Sequence, residues 1–223
     1  MFFEIIAKHQ LNIMLVLSGV CAILAVFVLF LKTMSPRRKT SLILMDISAG
    51  LLLVFDRYAY LFRGDISELG FVMVRVSNFL VFFLTLFCIM MFNSFLADLC
   101  LTNSSLQKTP KRLQFISIFL IIGMLLVAIS QFTGLYYTFD ELNQYRRAST
   151  FWISYIIPFF SLVIQFSVII SYHKRLKKSV RIFMYIFTLM PLAASVLQYF
   201  AHGISLINIS SQQWSYCSSS SRS

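Results

Sequence analysis

Six stretches of roughly twenty predominantly apolar residues follow one another along this chain, at 11–31, 41–62, 71–96, 113–132, 151–172 and 180–200. A helix needs that length and character to cross the hydrocarbon core of a bilayer, and unsatisfied backbone groups are too costly in lipid for an open strand or loop to take its place. The expectation is an all-α fold: a polytopic membrane helix bundle with six transmembrane helices. Composition agrees, since 59% of the 223 residues are hydrophobic and only 12% are charged, whereas a soluble domain carries about twice that charge. The first stretch is too long for the apolar core of a signal peptide, has no small-residue cleavage pattern and precedes a basic loop. It is read as a true span.

A formal net charge of +11 invites a nucleic-acid reading, but the basic residues sit in short clusters between apolar runs, and that pattern signals topology. Lys32, Arg37, Arg38 and Lys39 follow the first span, Lys108, Lys111 and Arg112 the third, and Lys174, Arg175, Lys177, Lys178 and Arg181 the fifth. The alternate segments hold only Lys8, Arg63, Arg146 and Arg147, offset by Glu4, Asp65, Glu68, Asp140 and Glu141. The basic side is expected to be cytoplasmic, which places the amino terminus outside a multi-pass cell-membrane protein. Tyr136, Tyr137, Tyr145 and Trp152 flank the second outer loop in the manner of an interfacial aromatic belt. The lipid bilayer is thus the first expected partner, with a homodimer compatible and nucleic acid not expected. No loop is long enough for a soluble domain, so a catalytic module would have to lie outside this sequence.

Little in the chain suggests chemistry. Cys21, Cys88, Cys100 and Cys217 have neither a CxxC nor a Cys/His spacing, so no disulfide framework, metal site or cofactor is expected. No GxGxxG, P-loop, HExxH or GxSxG pattern occurs, and no catalytic residue is assigned.

Ionisable residues inside spans are costly and mark functional sites by default. Asp56 and Arg57 lie about 20 Å above the inner end of the second span, and Arg75 about 6 Å below the outer end of the third. An Asp56–Arg75 ion pair between adjacent helices is the natural expectation. Asn78, Gln131, Gln198 and His202 reach a similar outer level, with Gln198 and His202 four residues apart on one helix face. Together these seven residues are candidates for an extracellular-facing ligand or signalling site. Asp46, Asn93 and Asp98 suggest a second network near the inner ends. Pro158 and Pro191 interrupt the fifth and sixth spans and are candidate kinks.

The end of the chain turns abruptly from Ile204–Ile209 into Ser210, Gln212, Gln213, Trp214, Tyr216, Cys217 and a serine run. Serine-rich segments do not bury enough apolar surface to fold, so residues 210–223 are expected to be a disordered tail or an out-of-frame reading of a seventh span. Moving the frame back by one nucleotide turns the codons for Gln213, Trp214, Tyr216, Cys217 and TCN serines into apolar ones. A seventh span would return the chain to the cytoplasm.

The run from Asp56 to Gly64, DRYAYLFRG, followed by Met73 to Phe82, MVRVSNFLVF, resembles the membrane regions that precede diguanylate cyclase (GGDEF) or histidine kinase modules in many Firmicutes. The resemblance implies a membrane-embedded sensor that receives an extracellular or membrane-borne ligand and passes the signal to a cytoplasmic output domain. That output domain is missing from this sequence. The alternative is a transporter or permease fragment, although the two halves show no convincing internal repeat.

Overall fold

A computed structural model describes residues 2–32, 34–103, 108–172, 174, 178, 181, 182, 184, 185 and 189. The chain divides into two compact units, Met1–Arg175 and Leu176–Ser223. The first unit contains helices α1 (Phe2–Phe30), α2 (Pro36–Leu61), α3 (Glu68–Asn103), α4 (Lys111–Thr133) and α5 (Ile153–Tyr172), with strands β1 (Tyr137–Phe139) and β2 (Tyr145–Arg147) between α4 and α5. Among the described residues the fold is all-helical apart from this one small hairpin. The expected sixth span at 180–200 falls almost entirely outside the described residues, as do the expected seventh and the whole of 210–223.

Among the described residues, four of the five helices, α1, α3, α4 and α5, are long and apolar enough to cross a membrane, as a membrane protein requires. The exception is α2, which has the length but carries Arg37, Arg38, Lys39, Asp46, Asp56 and Arg57. Packing offsets that polarity, because α2 lies against both α1 and α3. Its start is set locally: Ser35 caps it, the hydroxyl accepting from the Arg38 N–H at 3.4 Å, and Pro36 occupies the first turn, where its missing N–H costs nothing. At the far end of α4, Gly134 takes the left-handed conformation, φ 65°, and its N–H returns to the Ser130 carbonyl at 2.9 Å.

Helix α3 is the central element, packing on α2, α4 and α5, while α4 also packs on α5. Leu96, Leu113, Ile116, Leu120, Val168 and Ile169 are buried where these helices meet. The opposite faces remain apolar and exposed, among them Val16, Ile23 and Phe27 on α1 and Ile118, Ile121 and Leu125 on α4; in a bilayer, lipid covers them.

Two cross-links fix the α2–α3 register. The Arg38 guanidinium meets Asp98 at 2.7 Å, and Ser48 Oγ lies 3.0 Å from Cys88 Sγ. Ten residues forward on α2, from Arg38 to Ser48, thus correspond to ten residues back on α3, from Asp98 to Cys88, so the two helices run antiparallel. Asn93 on α3 reaches α4 through the Leu113 carbonyl and Ser117 Oγ, both at 2.9 Å. Gln165, fully buried on α5, donates to the Ile89 carbonyl at 3.2 Å and to Asn93 Oδ1 at 3.5 Å. Of the expected inner network, Asp98 therefore pairs with α2 and Asn93 joins α3 to α4 and α5.

Gly123 lets α4 approach its neighbours. A Cβ there would stand 3.0 Å from Ile157 Cγ2 and 3.1 Å from Leu86 Cδ1. Small residues at such crossings let membrane helices pack closely. Gly123→Val should therefore wedge α4 from α3 and α5, destabilising the fold by about 1–3 kcal/mol as read by thermal unfolding in detergent; Gly19→Val, at a position with open space around it, should cost far less.

Candidate functional site

The connection between α4 and α5 is a folded cap. Strands β1 and β2 pair antiparallel, with Tyr137 opposite Arg147 and Phe139 opposite Tyr145, and the turn between them is organised by Asp140. Its Oδ1 accepts from the N–H groups of Gln144 at 2.8 Å and Leu142 at 3.1 Å, and its Oδ2 accepts from Arg146 Nε at 2.8 Å. The base is closed by the Ala148 N–H to the Tyr136 carbonyl at 3.1 Å and by the Thr150 hydroxyl to the Leu135 carbonyl.

Aromatic packing seats this hairpin on the helices. Phe82 of α3 stacks against Tyr137 with ring centroids 5.4 Å apart and touches Tyr136 and Phe151, each at 6.0 Å. Tyr136 and Tyr137 are consequently buried. They anchor the cap on α3, whereas Trp152 stands exposed. Burial pushes the Tyr137 phenol up to about 12, more than offsetting its bond to Gln131. At neutral pH it is thus a neutral donor, exchanging hydrogen bonds with the Gln131 amide at 2.9 and 3.2 Å.

The cap is also tied to the α2–α3 connection, and Asn143 makes most of that tie. Its side-chain amide donates to the Asp65 carbonyl at 2.7 Å, its Oδ1 accepts from Arg75 Nη1 at 2.9 Å, and its own carbonyl accepts from the Gly64 N–H at 3.2 Å. Arg63 adds a bond to Gln144 at 3.2 Å. Asn143 is 0% exposed and has φ 55°, a left-handed conformation that Asn tolerates better than most residues. Gly64, at φ 79°, carries no side chain where the Gln144 amide packs against it.

Arg75 sits where these parts converge. Its Nη1 donates to the Phe71 carbonyl and to Asn143, both at 2.9 Å. The guanidinium carbon lies 3.6 Å from the centroid of the Phe71 ring and 4.6 Å from that of Phe139, distances at which a cation is held by the ring quadrupole. Beside it opens a cavity of about 270 Å³ lined by Arg75, Ser130, Gln131, Gly134, Tyr137, Thr138 and Phe139.

The expected Asp56–Arg75 ion pair is not formed. Continued from Ser48–Cys88, the register sets Asp56 opposite Leu80 and Arg75 opposite Leu61, about 7.5 Å apart along the axis at 1.5 Å per residue. The depth estimate failed because it took the outer edges of the two apolar runs as level, whereas the same register sets Phe62 opposite Val74, three residues inward of Phe71. Asp56 is half-buried without a hydrogen bond among the described residues, and Arg57 keeps a buried Nε with no partner. Asn78 donates to the Val74 carbonyl of its own helix at 2.7 Å. Arg75 and Gln131 do meet around one cavity; Gln198 and His202 lie outside the described residues.

Sequence reasoning missed Asn143, Asp140 and Gln165. The first two carried a usable signal, since five residues separating Tyr-Thr-Phe from Tyr-Arg-Arg fit a hairpin turn. Comparison with known protein families, curated proteins and solved structures gave no match.

Two outcomes test this geometry. Asn143→Gly keeps the backbone conformation but removes two side-chain hydrogen bonds, so it should cost about 1–3 kcal/mol; Asn143→Ala should cost about 1–2 kcal/mol more, because alanine also resists the left-handed φ. Thermal unfolding in detergent separates the two. The backbone N–H of Gln144 and then the Arg146 side chain hold the Asp140 carboxyl below the ordinary carboxylate range. With a lowered folded pKa, its contribution is complete above the ordinary range and is lost as pH falls through the lowered value. Amide exchange at Leu142 and Gln144, corrected for intrinsic rates, should accelerate across that acid window, and Asp140→Asn should abolish the dependence.

Proposed function

We propose that this chain is a membrane-embedded sensor module, multi-pass in the cell membrane with its amino terminus outside, that receives a ligand at the capped end of the bundle. The reading rests above all on Asn143, which ties two sequence-distant connections together beside a cavity whose charged lining residue is Arg75. A ligand engaging Arg75 acts on the same hydrogen-bond set that holds the cap to the α2–α3 connection. Helix α3, 36 residues long, extends about 54 Å at 1.5 Å per residue and carries Arg75 near one end and Asp98 near the other. It is the natural path for a signal toward a cytoplasmic output region.

Two further points support this reading. The segments that resemble sensor regions, Asp56–Gly64 and Met73–Phe82, supply the α2–α3 connection and Arg75 itself. Arg37, Arg38 and Lys39 at the start of α2 and Lys111 and Arg112 at the start of α4 lie at the ends of those helices away from the cap, as expected if that face is cytoplasmic. A transporter is the second reading, kept open by Pro158 inside α5, since proline can kink a helix where substrates cross, although α5 runs unbroken from Ile153 to Tyr172.

An alkaline phosphatase fusion placed within 133–150 should be active and one within 173–179 inactive; the reverse pattern overturns the orientation. Coupling is tested with Cys100, buried near the far end of α3, as the single remaining cysteine. Releasing the cap with Asn143→Gly should change its maleimide labelling rate severalfold. An unchanged rate means the cap is not coupled to the other end and removes the sensor reading, and Arg75-dependent uptake into proteoliposomes would replace it with transport.

A further inference from the structure

The guanidinium of Arg75 offers five N–H groups in a rigid fork. Its Nη1 uses both of its hydrogens, on the Phe71 carbonyl and Asn143 Oδ1. The remaining edge, Nε with Nη2, has no protein partner among the described residues. That edge presents two parallel N–H groups, the arrangement that takes a carboxylate in bidentate fashion.

Among the described residues no carboxylate fills this role. Asp140 is committed to its turn and to Arg146, Asp65 accepts from the Ser67 N–H at 2.9 Å, and the register sets Asp56 about 7.5 Å deeper along the axis. Arg75 forms no ion pair among the described residues, although a half-buried cation gains from one. The rings of Phe71 and Phe139 lie over the guanidinium, and the two bonds from Nη1 fix its rotation. The fork is therefore held in place before any ligand arrives, which lowers the ordering cost of binding.

The adjoining cavity, about 270 Å³, falls just below the range for drug-sized ligands, roughly 300–1,000 Å³, which limits it to a small molecule. Tyr137 and Phe139 give it aromatic surface, and the Gln131 amide adds a polar group to its lining. We infer that this cavity binds a small monocarboxylate with an apolar or aromatic body, its two carboxylate oxygens on the Nε–Nη2 edge of Arg75 and its body against Tyr137 and Phe139. A carboxylate fits better than a phosphate, because one planar two-donor edge matches a planar two-oxygen anion and Arg75 is the one basic residue in the lining.

This inference rests on reading the capped end as the ligand-receiving end. It is tested by isothermal titration of the purified chain in a zwitterionic detergent, with benzoate, phenylacetate, benzamide and phenyl phosphate as probes. At least one of the two carboxylates should bind with one site per chain, and benzamide, isosteric with benzoate but uncharged, at least tenfold more weakly. Arg75→Lys keeps the charge and loses the fork, so it should weaken the carboxylate at least tenfold; Arg75→Gln should abolish it in a chain that still elutes as a single species. Because the probe comparison uses the unaltered protein, a misfolded variant does not blunt it.

Absence of carboxylate binding, equal binding of benzamide, or tighter binding of phenyl phosphate overturns the inference, the last pointing to a lipid phosphate instead. Carboxylate binding that leaves Cys100 labelling unchanged removes the sensor reading while the site stands. Cap-dependent labelling without carboxylate binding does the opposite.

Discussion

The hydrogen bonds of Asn143 hold together two connections that lie almost eighty residues apart in the sequence, one reaching the Asp65 carbonyl and one accepting from Arg75. Neither connection has much to stabilise it alone. The α2–α3 link turns on Gly64, and the hairpin has only three residue pairs, whereas isolated two-stranded hairpins are marginal in water. Joined, they share a buried polar centre in which an amide donates, an amide oxygen accepts from a cation, and two aromatic rings lie over that cation. Such a centre is worth most when every group is satisfied and becomes a liability when one is removed.

The opposite half of the bundle is held by different means. Apolar burial gives little drive for helices to associate in lipid, where the surrounding chains are as apolar as leucine, so packing and interhelical hydrogen bonds take over. Arg38 with Asp98, Asn93 with Ser117, and Gln165 with Ile89 tie α3 in turn to α2, α4 and α5. Each of these bonds has one partner on α3, which makes it the shared reference for the other helices. The Gln165 Oε1 and the Ser161 hydroxyl, both buried without a partner, show that this interior is polar beyond what its own bonds satisfy.

Much of the helical architecture was legible from apolar run length alone, because run length measures the solvent a helix is built for. The observed helices α1, α3, α4 and α5 overlie the expected spans; α3 and α4 run past theirs at both ends, α3 beginning at Glu68 and α4 at Lys111, while α5 starts two residues inside its own. Run length carries no information on helix register, however. That is why Asp56 and Arg75, well placed by counting from span edges, are offset by more than a turn. Arg75 and Gln131 were found because a polar residue at that depth needs a reason. Asn143 was hidden because a polar residue in a loop needs none, and its role depends on a left-handed φ and a partner seventy-eight positions away.

The position of α2 follows from the same physics. A helix with Asp46, Asp56 and Arg57 along its length is costly to expose to hydrocarbon, and this one is flanked by α1 on one side and α3 on the other. Much of α1 faces outward with apolar side chains, including Ile23, Phe27 and Phe30, so it serves as a screen between the charged helix and the lipid. Screening of this kind leaves α2 polar groups inside the bundle without committing them to partners: Asp56 makes no hydrogen bond among the described residues, and Arg57 Nε is buried and unpaired. Unpaired charge one to two turns beneath the Arg75 cavity is energetically expensive. It persists because the register of α2 on α3 is set elsewhere, by Arg38 on Asp98 at one end and by the Asn143 bond to the Asp65 carbonyl at the other.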